Sequence, residues 1–193
     1  MKIKHLLVLF MLMIALTGFC TANSSSQYTQ EQITEYQKGI MEPLIAGSVF
    51  NKKGLAAINA GDLEGAYQEF SKTATCAEIA RRRMNESPDF ERKAEAAVLV
   101  DNLYASVYSL MAMLEIQAYN DYEKANRSSE KAFSVDAVKT ADMFLDYADR
   151  AKNGARYKEA EFYTQKILYN SNTTNEQKRV ARLIQSEVYR NNQ

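Results

Sequence analysis

Side chains able to do acid–base or metal chemistry are few in this sequence and unevenly placed. Histidine occurs once, at His5, and cysteine twice, at Cys20 and Cys76. His5 and Cys20 fall in a stretch that reads as a removable leader, so the expected mature chain has no histidine and one cysteine. That inventory excludes histidine-based triads and zinc sites. The sequence also contains no glycine-rich phosphate loop, no CxxC and no EF-hand loop. Carboxylates are plentiful but scattered over helical stretches, where solvated acids are the ordinary finding. No enzymatic activity, metal or cofactor is expected. The most regular acidic pattern is Asp142, Asp146 and Asp149, spaced i, i+4 and i+7, which puts all three on one helix face. Like charges at that spacing repel by about 0.2–0.5 kcal/mol per pair, which a basic partner would relieve. The alternative is a solvated face served by Lys139, Arg150 and Lys152. The triplet Arg81-Arg82-Arg83 could grip an anion. It is equally what the negative end of a helix dipole favours, and it is expected in the last turn of a helix.

The elements that must hold these residues begin after a stretch of different composition. Lys2 and Lys4 precede an apolar run of 11 residues, Leu6 to Leu16, followed by the small residues of Thr17 to Ala22. That order describes a secretory leader. The run is short of the roughly 20 residues needed to span a bilayer. Cleavage after Ala22 is expected; the alternatives are lipidation at Cys20, where Phe19 is a poor preceding residue, and an uncleaved anchor. No later segment reads as apolar enough to cross a membrane. Residues 23–28 read as a disordered lead-in, and 29–191 as one domain. The 193-residue chain balances 24 basic against 24 acidic residues and is 46% hydrophobic. A core is therefore available without disulfides, and nucleic acid is not an expected partner. Cys76 is expected to be buried as a small apolar side chain.

Sustained apolar–polar alternation is absent, and helical spacing is everywhere, so an all-α fold is expected. Ile33, Tyr36, Ile40 and Leu44 step by three and four after Thr29 and Gln32, a capping-box pair. Pro43 should bend or restart that helix, which ends at Gly61-Asp62. A second helix is expected over Leu63 to Asn85. Ser87-Pro88-Asp89 should open a third, running to Tyr119 with Val98, Leu103, Val107, Leu110, Leu114 and Ile116 as its apolar set. Shorter helices follow at Tyr122 to Phe133, Asp136 to Asn153 and Arg156 to Tyr169, with Asn153-Gly154 as a stop. Thr173 and Glu176 suggest a capped last helix with Val180, Leu183, Ile184 and Val188 on one face.

Within this run one pattern recurs. Ala66, Ala125 and Ala160 each follow a large residue three positions earlier, namely Leu63, Tyr122 and Tyr157, with charges between. Twelve positions before the alanines stand Gly54, Met113 and Ala148; sixteen before stand Phe50, Ser109 and Phe144. Close approach of two helices requires small side chains at the crossing. The second and third alanines are 35 residues apart, and the first and second 59, so the first hairpin should carry longer helices or an insertion around 75–100. The pattern resembles the tetratricopeptide repeat, whose period is about 34 residues. The resemblance covers residues 45–169; it departs at Met113 and Ser109 and lacks a closing proline. It implies a short solenoid of stacked antiparallel hairpins with a C-terminal capping helix; a non-repetitive helical bundle is the alternative.

The resemblance further implies a concave groove lined by the first helix of each hairpin. By offset from the alanines, Asn51, Lys52, Leu55 and Asn59 line it in the first hairpin, and Val107, Leu110, Met111 and Leu114 in the second, although these central residues could equally be core. Asp142, Asp146 and Asp149 line it in the third. The function expected is a peptide- or protein-binding scaffold of the cell envelope, periplasmic or secreted, with a partner that could be basic. The alternatives are a structural subunit or assembly factor of an envelope complex, lipid-anchored through Cys20, and a secreted effector.

Overall fold

The computed structural model describes residues 28–192. The expected leader, with Cys20 and the expected cleavage after Ala22, lies outside them. Among the described residues there are seven helices and no strand, as expected: α1 (Gln30–Asn59), α2 (Leu63–Glu86), α3 (Lys93–Gln117), α4 (Tyr122–Phe133), α5 (Ala137–Asn153), α6 (Tyr157–Tyr169) and α7 (Asn175–Asn191).

Local chemistry sets most of the starts. Thr29 and Gln32 close the capping box of α1, with the Gln32 amide donating to Thr29 Oγ1 at 3.2 Å and the Thr29 amide to Gln32 Oε1 at 2.8 Å. Asp62, Asp121 and Asp136 cap α2, α4 and α5, each accepting the amide three residues on. The last helix is capped one residue later than expected. Thr174 and Gln177 form its box, while Thr173 turns inward and donates to the Ile167 and Asn170 carbonyls at 2.8 and 2.9 Å.

Two breaks differ from expectation. Pro43 does not interrupt α1, although an interior proline costs about 3 kcal/mol. Packing on both sides holds the helix through it: Ile40 and Leu44 are buried together with residues of α2 and α3, and Gly47 and Gly54 lie tight against α2. Ser87-Pro88 ends a helix rather than starting one. Pro88 forces Ser87 into an extended conformation, and the Ser87 hydroxyl donates back to the Met84 carbonyl at 2.7 Å. α3 begins only at Lys93, after Arg92 at φ 65°.

The three hairpins α1/α2, α3/α4 and α5/α6 share one turn. Gly61, Asn120 and Ala155 adopt left-handed φ of 78°, 53° and 58° immediately before the next helix's capping residue. The following amide reaches back across the helix end: Asp62 to Ala57 at 2.9 Å, Arg156 to Ala151 at 2.8 Å, and Asp121 to Glu115 at 2.8 Å. The first and third are Schellman closures, and the second is one residue wider. Gly154, expected as the stop, sits at φ −90°, and Ala155 takes the left-handed site that glycine would suit.

The hairpins stack. α1, α3, α5 and α7 touch in succession as first helices, and α2, α4 and α6 each pack between their own first helix and the next, with α7 closing the stack. One core runs through all of it and contains Ala66, Ala125 and Ala160, each fully buried. At the first crossing Gly54 meets the end of the Phe70 ring so closely that a Cβ there would lie 2.8 Å from it. The long first spacing comes from α2 and α3, of 24 and 25 residues, and α1 matches them with 30. Their overhang builds a second core from Ile40, Leu44, Ala80, Met84, Ala96 and Val100.

α3 corrects a further expectation. Its 25 residues are long and apolar enough to cross a membrane, with mean hydropathy 1.4 over the best stretch. Contacts with α1, α2, α4 and α5 explain why it is apolar nearly all round. Val98 and Leu183, assigned to apolar faces, are instead more than half exposed, and Cys76 is half-buried beside Gly47.

Candidate interaction surface

The residues expected to line a groove separate into three groups. On α1, Lys52 and Asn59 are exposed, and Asn51 and Leu55 are half-buried. Leu55 packs on the main core, and Asn51 Oδ1 is out of solvent with no hydrogen-bond partner. On α3, Leu110 is half-buried, whereas Val107 and Leu114 are fully buried and Met111 nearly so. The expectation that these three touch a partner is therefore corrected. α3 is enclosed by four helices, and a face that would be open on an end helix is interior here.

On α5 the three aspartates are exposed but already matched. Gln177 of α7 donates to Asp142 Oδ1 at 2.7 Å. Arg150 pairs with Asp146 at 2.7 Å, and Lys152 bridges Asp149 at 2.9 Å and Glu187 of α7 at 2.6 Å. The repulsion along the stripe is thus met within the chain. Lys139 takes no part: its ammonium donates to the Asn102 side chain at 2.7 Å, and burial lowers its pKa.

Arg81, Arg82 and Arg83 are also spoken for. The last turn of α2 contains only Arg83, because the helix continues to Glu86. Arg82 and Arg83 pair with Glu86, and Arg81 reaches Asp101 at 3.4 Å while lying over the Tyr104 ring.

Sequence reasoning missed the polar groups in the seams between hairpins. Glu78 of α2, Tyr108 of α3 and Lys131 of α4 form one cluster, in which Tyr108 donates to Glu78 and Lys131 donates to Glu78 at 2.9 Å. Burial raises the carboxyl pKa of Glu78, but the hydrogen bonds from Tyr108 and Lys131 outweigh it and leave the pKa lowered. Glu115 of α3 is 1% exposed and accepts the Tyr67 hydroxyl of α2 at 3.2 Å. Glu159 of α6 is 4% exposed and receives three donors: Gln117 of α3 at 2.8 Å, Tyr163 at 3.2 Å and Arg156 at 3.0 Å. One signal was present in the sequence: Glu115 is a lone acid inside the apolar run Leu110 to Ile116.

An open polar groove of about 510 Å³ lies elsewhere, between the start of α1 and Arg83, with Tyr36, Glu35 and Glu42 in its wall. Among the described residues no three His, Cys, Asp or Glu side chains come together as a metal-holding group. Compared with protein-family models and with curated proteins, the chain matches neither.

Proposed function

We propose that the protein is a non-enzymatic interaction scaffold of the cell envelope that binds a peptide or protein segment along its first helices. One observation carries the reading: α1, α3, α5 and α7 touch in succession, so the first helices form one row. Leu55 and Leu110 give that row half-buried apolar contacts. The resemblance of the hairpins to tetratricopeptide repeats supports the same surface, and the leader supports an exported location. Because the α5 aspartates are paired within the chain, the partner's contribution is apolar contact more than positive charge.

Photo-crosslinking residues introduced at Leu55 and Leu110, with Arg127 and Lys158 on second helices as controls, test this in the cells that make the protein. The same captured partner from both leucine positions, and not from the controls, supports the proposal. Capture only from Arg127 and Lys158 refutes it.

A further inference from the structure

The stack contains two seams, each holding a buried glutamate, and the two are provided for differently. In the seam between the second and third hairpins, Glu159 has an arginine at 3.0 Å and two further donors. In the seam between the first and second, Glu115 is 1% exposed, makes no ion pair among the described residues and has one oxygen, Oε2, with no hydrogen-bond partner. Its other oxygen takes a 3.2 Å bond from Tyr67, and the Ser128 hydroxyl stands close enough to act on the carboxyl.

The groups facing Glu115 come from each element around it. They are Tyr67 of α2, Asp121 of the α3/α4 turn, and Lys124 and Ser128 of α4. Lys124, the one cation among them, lies over the Tyr67 ring, 5.1 Å from its centroid. Burying a carboxylate without an ion pair strongly favours its protonated form. A protonated carboxyl also fits the site, since its O–H can donate where a carboxylate only accepts. Glu115 further anchors the hairpin turn, because its carbonyl accepts the Asp121 amide at 2.8 Å.

We propose that Glu115 is a pH-sensitive latch between the first and second hairpins, closed when its carboxyl is protonated and loosened when it ionises. Burial raises the carboxyl pKa, while the Ser128 and Tyr67 hydroxyls and the Lys124 charge oppose that. A group whose pKa is raised in the closed state binds its proton more tightly there. Closure is therefore fully favoured below the ordinary carboxylate pKa and weakens as pH rises toward the raised value. Each unit of separation between the closed and open pKa changes the closed-to-open ratio about tenfold. The loosened seam frees Lys124 to meet the carboxylate in water, and α1 and α2 separate from α3 and α4.

The test is hydrogen exchange of the full chain at pH 5 and pH 8, with Glu115→Gln as the reference at each pH so that intrinsic exchange cancels. The expected result is faster relative exchange of α2 and α4 amides at pH 8 in the unaltered protein, by tenfold or more, with α5 to α7 unchanged. Equal exchange in the two proteins at both pH values overturns the proposal. Carbon-13 titration of the Glu115 carboxyl in the unaltered protein provides an independent readout should the variant fold poorly. A midpoint in the ordinary glutamate range also overturns the proposal, and a raised midpoint supports it.

Discussion

The tight crossing of α1 and α2 gives a test in which one substitution has opposite signs at two places on the same helix. Gly54→Ala places a Cβ 2.8, 2.9 and 3.0 Å from three atoms of the Phe70 ring, which is fully buried. The ring or the helix must retreat by more than half an ångström in a close-packed interior, and such overpacking costs about 1–3 kcal/mol. Replacing a helical glycine by alanine returns about 1 kcal/mol of propensity. With contact this close the steric cost falls in its upper range, so the net loss is about 1–2 kcal/mol. Gly39→Ala meets nothing within 4 Å and collects the propensity gain alone, about 1 kcal/mol of stabilisation. The difference between the two variants removes the propensity contribution and isolates the crossing. It amounts to about 2–3 kcal/mol, or roughly 5–10 °C in melting temperature for a chain of this size. Thermal melts followed by circular dichroism measure it, and Gly54→Ala with Phe70→Leu should recover part of the loss. If both alanines shift the melting temperature in the same direction by similar amounts, the close crossing is wrong.

Two further outcomes follow from the turns and seams. Ala155→Gly should stabilise the protein by about 1 kcal/mol, because φ 58° strains alanine and suits glycine, whereas Gly154→Ala at φ −90° should give no such gain; denaturant titration of both variants compares them. Glu78 has a lowered carboxyl pKa, so its contribution is present above the ordinary glutamate value of about 4.3 and is lost as pH falls through the lowered one. Glu78→Gln should therefore be less stable than the parent at pH 7 and converge with it in acid, which melts across pH 3–7 will show.

Much of this architecture was legible because it rests on local chemistry. The Thr29/Gln32 box, the Gly61-Asp62 break and the recurrent alanines are signals confined to a few residues, and each marks a feature the structure contains. What was not legible depended on distant partners. Pro43 looks like a break until the packing of Ile40 and Leu44 against α2 and α3 is known. Ser87 looks like a cap until its hydroxyl is seen to turn back to Met84. Val107, Met111 and Leu114 occupy offsets that would face outward on an end helix, but α3 is the enclosed one. Of the partners of the α5 aspartates, Arg150 and Lys152 lie on the same helix and were legible as neighbours, whereas Gln177 depends on where α7 docks.

The measurement that bears most directly on the account is the affinity of the crosslinked partner for three variants, each shown by its melt to remain folded. Leu55→Asp and Leu110→Asp put charges on the first-helix row, and Lys158→Asp changes a second helix at an exposed site. The account predicts that both leucine variants weaken binding about tenfold or more, equivalent to about 1.4 kcal/mol each, and that Lys158→Asp leaves it within about twofold. Unchanged affinity in the leucine variants together with loss in Lys158→Asp would contradict it, moving the binding surface to the second helices.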